Sequence, residues 1–155
     1  MDKEKEFAVI YWDDLQWPPA LQLPSQRFRL FVAANVAEIS TKVISDFAFA
    51  ALSKGMVYFC AWGPGCERFH DIVDELKLKD ERGERKFIGP RVGDVVVTTW
   101  HDCETLQEAL EFFAICAAPT DGFEPDSHFR VVVCVNDRDW AATATRFLQS
   151  VEFFV

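Results

Sequence analysis

Apolar runs alternate along this chain with stretches whose apolar residues recur every three or four positions. The runs are short and rich in Val, Phe and Ala, as expected of strands covered on both faces of a sheet. The pattern predicts four such strands, at residues 27–34, 56–62, 94–100 and 129–135.

Each of these runs precedes a segment with helical periodicity, which predicts four helices. The first three are expected at residues 37–53, 66–78 and 105–118, and the last follows Asp139. Gly55 and Pro119 are natural stops, because glycine accepts the left-handed conformation and proline lacks an amide donor. Thr105 and Glu108 have the spacing of a capping box, and Asp139 is the expected N-cap of the last helix.

Two further segments complete the organisation. Residues 1–26 are predicted to form a short edge strand at 7–12 and a proline-rich arm that Trp12 and Trp17 anchor. Residues 27–155 are expected to form the α/β domain, so that the chain is one globular domain overall. The charged segment 77–93 is interpreted as a solvated excursion, with a lid as the alternative.

The strand-then-helix alternation predicts an α/β fold, because parallel strands need crossover connections that are right-handed. We expect a three-layer sandwich of the Rossmann or flavodoxin-like kind, with a mainly parallel sheet of four or five strands and helices on both faces. Counting from the strand at 27–34, the expected strand order is 2-1-3-4, with the strand at 7–12 at one edge. A ligand site is expected beyond the carboxyl ends of the strands.

Charge and cysteine content limit the classes of partner and the cellular compartment that the sequence favours. The 155 residues carry 25 acidic and 16 basic side chains, a net charge of −9, which disfavours nucleic acid as a partner. We find no secretory signal and no apolar stretch long enough to span a membrane. The five cysteines are an odd number and several lie in apolar segments, which favours reduced thiols in a cytoplasm.

Cys66 and its neighbours suggest two chemistries. As a nucleophile, Cys66 lies at a helix N-terminus, and His101 with Asp102 could activate it. As a zinc site, Cys66, His70, His101 and Cys103 offer four ligands, but no paired CxxC accompanies them. The plainer interpretation, of a small turn residue and surface histidines, is favoured, so we expect no metal and no cofactor.

Two other patterns have structural explanations. The sequence Gly63-Pro64-Gly65 follows a strand and opens a helix, where a phosphate could bind, but it matches neither nucleotide-binding motif and favours a tight turn. The acids at 71, 74 and 75, and those at 137 and 139, are interpreted as solvated residues or caps rather than general acids and bases.

Tryptophans near the strand ends predict a binding surface. Trp62, Trp100 and Trp140 each end or follow a strand, and His70 and Asp137 lie in the adjoining segments. An aromatic patch ringed by acids would suit a basic protein partner. The alternative is that all three tryptophans cap the core.

Two motifs carry a resemblance. The sequence Ala61-Trp62-Gly63-Pro64-Gly65-Cys66 after one strand, and Val97-Thr98-Thr99-Trp100-His101 before a helix, resemble a family of small bacterial proteins of unknown function. The resemblance covers about residues 27–113. It implies a bacterial, cytoplasmic origin and no established activity.

These observations favour a non-catalytic protein–protein interaction protein, a small acidic accessory of the immunity or defence type encoded in a bacterial operon. The alternative is a small-molecule-binding protein or a Cys/His-dependent enzyme, with its site at the carboxyl end of the sheet. The partner and the oligomeric state do not follow from the sequence.

Overall fold

The fold was analysed in a computed structural model, which describes residues 7–81 and 94–151. Five strands and four helices follow one another in the predicted alternation. They are β1 (Phe7–Trp12), β2 (Phe28–Ala33), α1 (Thr41–Ser53), β3 (Met56–Trp62), α2 (Cys66–Glu81), β4 (Val97–His101), α3 (Leu106–Ile115), β5 (Arg130–Val135) and α4 (Arg138–Val151). A short 3-10 turn at Glu124–Asp126 precedes β5.

The five strands form one parallel sheet in the order β1-β5-β2-β3-β4. This confirms the α/β sandwich and the edge position of β1, but the predicted order 2-1-3-4 is wrong. In the same counting the order is 4-1-2-3, because the chain runs outward from β2 through β3 to β4 and then returns over α3 to the other side of β2. The central strand β2 is buried throughout, as its apolar sequence requires.

The helices cover both faces of the sheet and enclose two cores. Helices α1 and α2 cover one face, where Phe47, Phe59 and Phe69 pack together. Helices α3 and α4 cover the other face, where Phe113 packs on Phe31. The alternation of side chains along each strand therefore sends successive residues to opposite helix pairs.

The arm after β1 is fixed by its aromatic residues, as predicted. Trp12 and Trp17 are both buried, with their ring centroids 5.4 Å apart, and Trp17 also contacts Phe28 and Phe47. The arm therefore adds to the core on the α1 face.

Several predicted boundaries shift for identifiable reasons. Helix α1 begins at residue 41 rather than 37, because the Ser40 hydroxyl accepts a hydrogen bond from the amide of Val43 and caps the helix there. Strand β4 begins later than predicted and includes His101. Helix α2 extends past 78 to Glu81, so this part of the charged segment is helical. Residues 82–93 of that segment lie outside the described part of the chain.

The later helices also differ at their ends. The hydroxyl of Thr105 accepts a hydrogen bond from the amide of Glu108, as the capping box predicts, but α3 ends at residue 115 rather than 118. The predicted N-cap at Asp139 is wrong. The side chain of Asp137 accepts hydrogen bonds from the amides of Asp139 and Trp140, because Asn136 turns the chain with a φ of 55° and places Asp137 before the helix.

Candidate functional site

A cleft opens at the edge of the sheet where the strands end, which we call the carboxyl edge. It has a volume of about 440 Å³ and lies between the turn after β3 and the turn after β4. Its lining includes four residues that the sequence analysis singled out, Trp62, Cys66, His101 and Asp102. Glu67 and Glu104 also line it. The cleft therefore lies at the carboxyl edge, where parallel α/β sheets bind their ligands, but beside the ends of β3 and β4 and not at the switch point between β2 and β5.

The turn that forms one wall depends on glycine. Gly63 has a φ of +113°, and a Cβ at this position would lie 2.2 Å from the carbonyl oxygen of Ala34. Gly65 has a φ of +82°. The amide of Val36 donates to the carbonyl of Pro64, so the turn after β3 is tied to the turn after β2. The Gly-Pro-Gly sequence is thus explained by a tight βα turn, as predicted.

Trp62 closes the cleft on the side of α3 and α4. Its indole Nε1–H donates to the backbone carbonyl of Glu104 over 2.9 Å, and its ring contacts Trp140 edge-on at 5.1 Å between centroids. Asp137, a further predicted surface residue, caps the helix that carries Trp140. These three residues therefore form one assembly, in which both tryptophans are half-buried and Trp62 is a wall of the cleft.

His101 is buried, with 6% of its surface exposed, and its imidazole points to the α3 face. Its Nδ1 lies 3.0 Å from Oε1 of Glu104, its Nε2 lies 3.0 Å from the hydroxyl of Thr99, and its ring contacts Phe112. Thr99 in turn donates to the sulfur of Cys60. Both ring nitrogens of His101 are therefore engaged within the α3 face.

Cys66 lies in the core on the opposite face and is 2% exposed. Burial raises the pKa of its thiol, and the Asp102 carboxylate raises it further, while the backbone amides of His101, Cys66 and Glu67 lower it by less. The low pKa expected of a thiol at a helix N-terminus is therefore not found. Although Cys66 and His101 line the same cleft, the structure does not pair the imidazole with the thiol.

The four possible zinc ligands are not brought together. Within residues 7–81 and 94–151, no group of three or more His, Cys, Asp or Glu side chains is arranged to hold a metal ion. The nitrogens of His70 contact Asp71 and Thr98, and Cys103 is exposed on the turn after β4. Cys66, His70, His101 and Cys103 therefore serve separate local contacts.

His70 and Trp100 form a second aromatic pair, on the α2 face next to the cleft. Their ring centroids lie 4.5 Å apart, and Trp100 is 41% exposed on the edge strand β4. His70 lies one helical turn after Cys66, which lines the cleft. The five predicted surface residues thus separate into two groups on the two faces, with the cleft between them.

Sequence reasoning missed the partners of the two histidines. Thr98 and Asp74 extend the contacts of His70, while Thr99 and Glu104 bind His101. The strand prediction ended at Trp100, which left His101 in a turn. The predicted strand already put Thr98 and Trp100 on one face, and extending it by one position would have put Thr99 and His101 together on the other.

Acidic side chains follow every strand at the carboxyl edge, either in the connection or in the first turn of the next helix. We call these residues the carboxyl-edge acids: Asp13, Asp14, Glu38, Glu67, Asp102, Glu104, Asp137 and Asp139. Helix N-termini also meet at this edge and favour acids, as Glu67 and Asp139 in the first turns of their helices show.

Three cations at this edge are already engaged. Lys42 pairs with Asp46, Arg68 donates to the carbonyls of Val36 and Ile39, and Arg138 lies over the ring of Tyr11. The eight carboxyl-edge acids outnumber these three cations, so the edge is acidic, which suits a cationic ligand and disfavours a phosphate.

Fold and cleft together define the class of protein, a parallel α/β protein with an acidic, aromatic cleft at the carboxyl edge of its sheet. Residues 10–150 match the model of a family described as a domain of unknown function (DUF7684), and the chain belongs to that family. No curated protein matches the chain, and no solved structure does. None of the helices in the described residues is both long and apolar enough to cross a membrane.

Proposed function

We propose that this protein is a non-catalytic protein–protein interaction protein that binds a basic partner through the acidic cleft at its carboxyl edge. In this proposal it is a small cytoplasmic accessory of the immunity or defence type, encoded in a bacterial operon. The observation that carries the proposal is the cleft itself, whose described charged side chains, Glu67, Asp102 and Glu104, are all acidic. A net charge of −9 would also steer a basic partner toward the protein.

The aromatic residues around the cleft support the same conclusion. Trp100 is 41% exposed beside the cleft, and Trp62 forms one of its walls. Exposed tryptophans next to charged residues are typical of interface hot spots, because one indole buries a large apolar area while the charges orient the partner. A Lys or Arg side chain of the partner would enter between Glu67 and Asp102.

The alternative of a Cys/His-dependent enzyme has less support. The thiol of Cys66 is buried, its pKa is raised, and the imidazole of His101 belongs to the other face. A cleft of about 440 Å³ is large enough for a small cationic molecule, so ligand binding without catalysis is the form of this alternative that the geometry favours.

The experiment is affinity capture from the native host at low salt, followed by native mass spectrometry of the eluted complex. The carboxyl-edge variant Glu67→Lys/Asp102→Lys is compared with Glu111→Lys/Asp121→Lys. The second variant changes the net charge equally, with one exposed acid on α3 and one at the opposite end of the sheet.

We expect a stoichiometric partner with wild-type protein and with the control variant, and its loss with the carboxyl-edge variant. Equal capture by both variants would contradict the proposal. Elution of wild-type protein with the added mass of a small molecule instead would favour the alternative.

A further inference from the structure

A second cavity lies between the arm after β1 and helix α1, and we call it the arm pocket. Its volume is about 650 Å³, which is within the range of about 300–1,000 Å³ that is usual for small-molecule sites. Its lining includes Asp14, Leu15, Trp17, Ile39, Val43 and Asp46. The arm pocket shares no lining residue with the cleft described above, so it is a separate cavity.

The arm forms one wall of this pocket. Burial alternates along the arm, so that Leu15 and Trp17 are buried while Asp14 and Gln16 are exposed. The ring of Trp17 packs on that of Phe47, with 6.3 Å between the centroids, and this contact fixes the arm against the core. The wall is therefore apolar on the inside, and the polar side chains of the arm lie at its rim.

Helix α1 and the segment before it form the opposite wall. Val43, Phe47 and Ala50 are separated by four and three residues, so they lie on one face of the helix, which lines the pocket. Phe47 is buried but Val43 is 41% exposed, so the apolar stripe extends out of the core to the open side of the pocket. Arg68 donates to the carbonyl of Ile39 and holds this wall from α2. Both walls are fixed by contacts within the protein, so the pocket is preformed.

The charges at the rim determine which ligands the pocket favours. In the described part of the chain, the charged residues that line it are Asp14 and Asp46, and both are exposed acids. Asp14 forms no ion pair with a described residue, and Asp46 pairs with Lys42 in an exposed contact, a kind that contributes little stability. Lys54, a further cation nearby, lies over the ring of Trp17. The rim therefore attracts a cation and disfavours an anion such as a fatty acid.

We infer that the arm pocket binds a small organic cation with an apolar body, of the arylalkylamine class. The apolar body lies between Leu15 and Val43 and removes the exposed surface of Val43 from water, which supplies most of the affinity. The ammonium group stays at the rim beside Asp14 and Asp46, which select for its charge. The inference does not depend on the proposed function, because the partner is proposed to bind at the separate cleft.

The first measurement is an NMR titration of isotope-labelled protein with three probes of similar size and different charge. Phenethylamine is a cation at neutral pH, phenethyl alcohol is uncharged, and hydrocinnamate is an anion. We expect phenethylamine to shift the signals of Trp17 and Val43, to bind about fivefold more tightly than phenethyl alcohol, and hydrocinnamate to bind most weakly. Equal binding of the three probes would overturn the inference. Shifts confined to Glu67 and Asp102 would also overturn it, because they would assign the amine to the cleft.

A matched pair of variants tests the role of the rim charge. Asp14→Asn removes a carboxylate from the pocket, and Asp13→Asn removes the neighbouring exposed carboxylate, which does not line it. We expect Asp14→Asn to weaken phenethylamine binding about threefold and to leave phenethyl alcohol binding unchanged, whereas Asp13→Asn should change neither. Equal weakening of phenethylamine binding by the two variants would show a general effect of net charge and would contradict the inference.

Filling the pocket provides a test that does not depend on charge. Val43→Trp places a large side chain at the open side, and the exposure of Val43 makes this change compatible with the fold. The control is Phe49→Trp, because Phe49 is a similarly exposed residue of the same helix that does not line the pocket. We expect Val43→Trp to weaken phenethylamine binding at least about tenfold and Phe49→Trp to leave it unchanged. Unchanged binding in Val43→Trp would overturn the inference and leave the proposed function of the cleft standing.

Discussion

The imidazole of His101 and the thiol of Cys66 lie on opposite faces of the sheet, although both residues line one cleft. His101 is instead bound to Glu104, with 3.0 Å between Nδ1 and Oε1. The backbone of Glu104 also accepts the indole N–H of Trp62. The two side chains proposed for catalysis therefore make separate local contacts rather than a nucleophile–base pair.

Replacing Glu104 should destabilise the protein. Glu104→Ala leaves the buried Nδ1–H of His101 without its acceptor, which should lower the free energy of unfolding by about 2 kcal/mol in urea denaturation. Glu104→Gln retains an acceptor oxygen at the same reach and should recover more than half of that loss. Equal stability of wild type and Glu104→Ala would show that the contact does not matter.

The five cysteines should react with iodoacetamide in a set order. Cys116 is exposed and should be modified first. Cys103 is also exposed, but a hydrogen bond with Asp102 raises the pKa of its thiol, so its modification should be slower than that of Cys116. Cys66 should be protected in the folded protein, along with the buried Cys60 and Cys134.

Peptide mass spectrometry over time gives the order of modification, and the urea-unfolded protein is the control in which all the thiols should react. Modification of Cys66 as fast as Cys116 in the folded protein would restore it as a candidate nucleophile.

Alkaline pH should destabilise the fold through its buried thiols. Burial raises the pKa of Cys60 and of Cys134 from 9.0 to about 12, and that of Tyr58 from 10.0 to about 12. The unfolded chain therefore loses these protons first, so the free energy of unfolding is unaffected below pH 9 and falls between pH 9 and about pH 12. The slope should be about 1.4 kcal/mol per pH unit for each thiol.

Urea unfolding at a series of pH values measures this slope. Cys134→Ala should reduce this slope by about 1.4 kcal/mol per pH unit, the contribution of one thiol. Cys116→Ala replaces an exposed residue and should leave the slope unchanged. A stability that does not change above pH 9 would contradict the burial of these groups.

Local structure could be predicted from the sequence where a residue pattern is compatible with few conformations. Strand β3 and the start of α2 match the prediction, because an apolar run and a Gly-Pro-Gly turn allow few alternatives. The N-cap of α1 was missed, because several polar residues precede that helix. In the structure Arg68 of α2 donates to the carbonyls of Val36 and Ile39, and the helix begins only after Ser40.

The strand order could not follow from the sequence in the same way. The crossover from β4 to β5 can return to either side of β2, and which side it takes depends on packing across the whole sheet. The placement of Trp100 on the same face as Thr98, by contrast, follows from the alternation of residues along β4, whereas its contact with His70 depends on how α2 packs on that face.

The central claim is that the carboxyl edge binds a protein partner. The affinity of a Trp100 variant for that partner tests this claim most directly. Calorimetry with the captured partner should show that Trp100→Ala weakens binding by about thirtyfold, which corresponds to about 2 kcal/mol. Phe49→Ala is the matched control, because Phe49 is an equally exposed aromatic residue on α1, with 44% of its surface exposed against 41% for Trp100. Unchanged affinity in Phe49→Ala is expected. Unchanged affinity in Trp100→Ala would contradict the account.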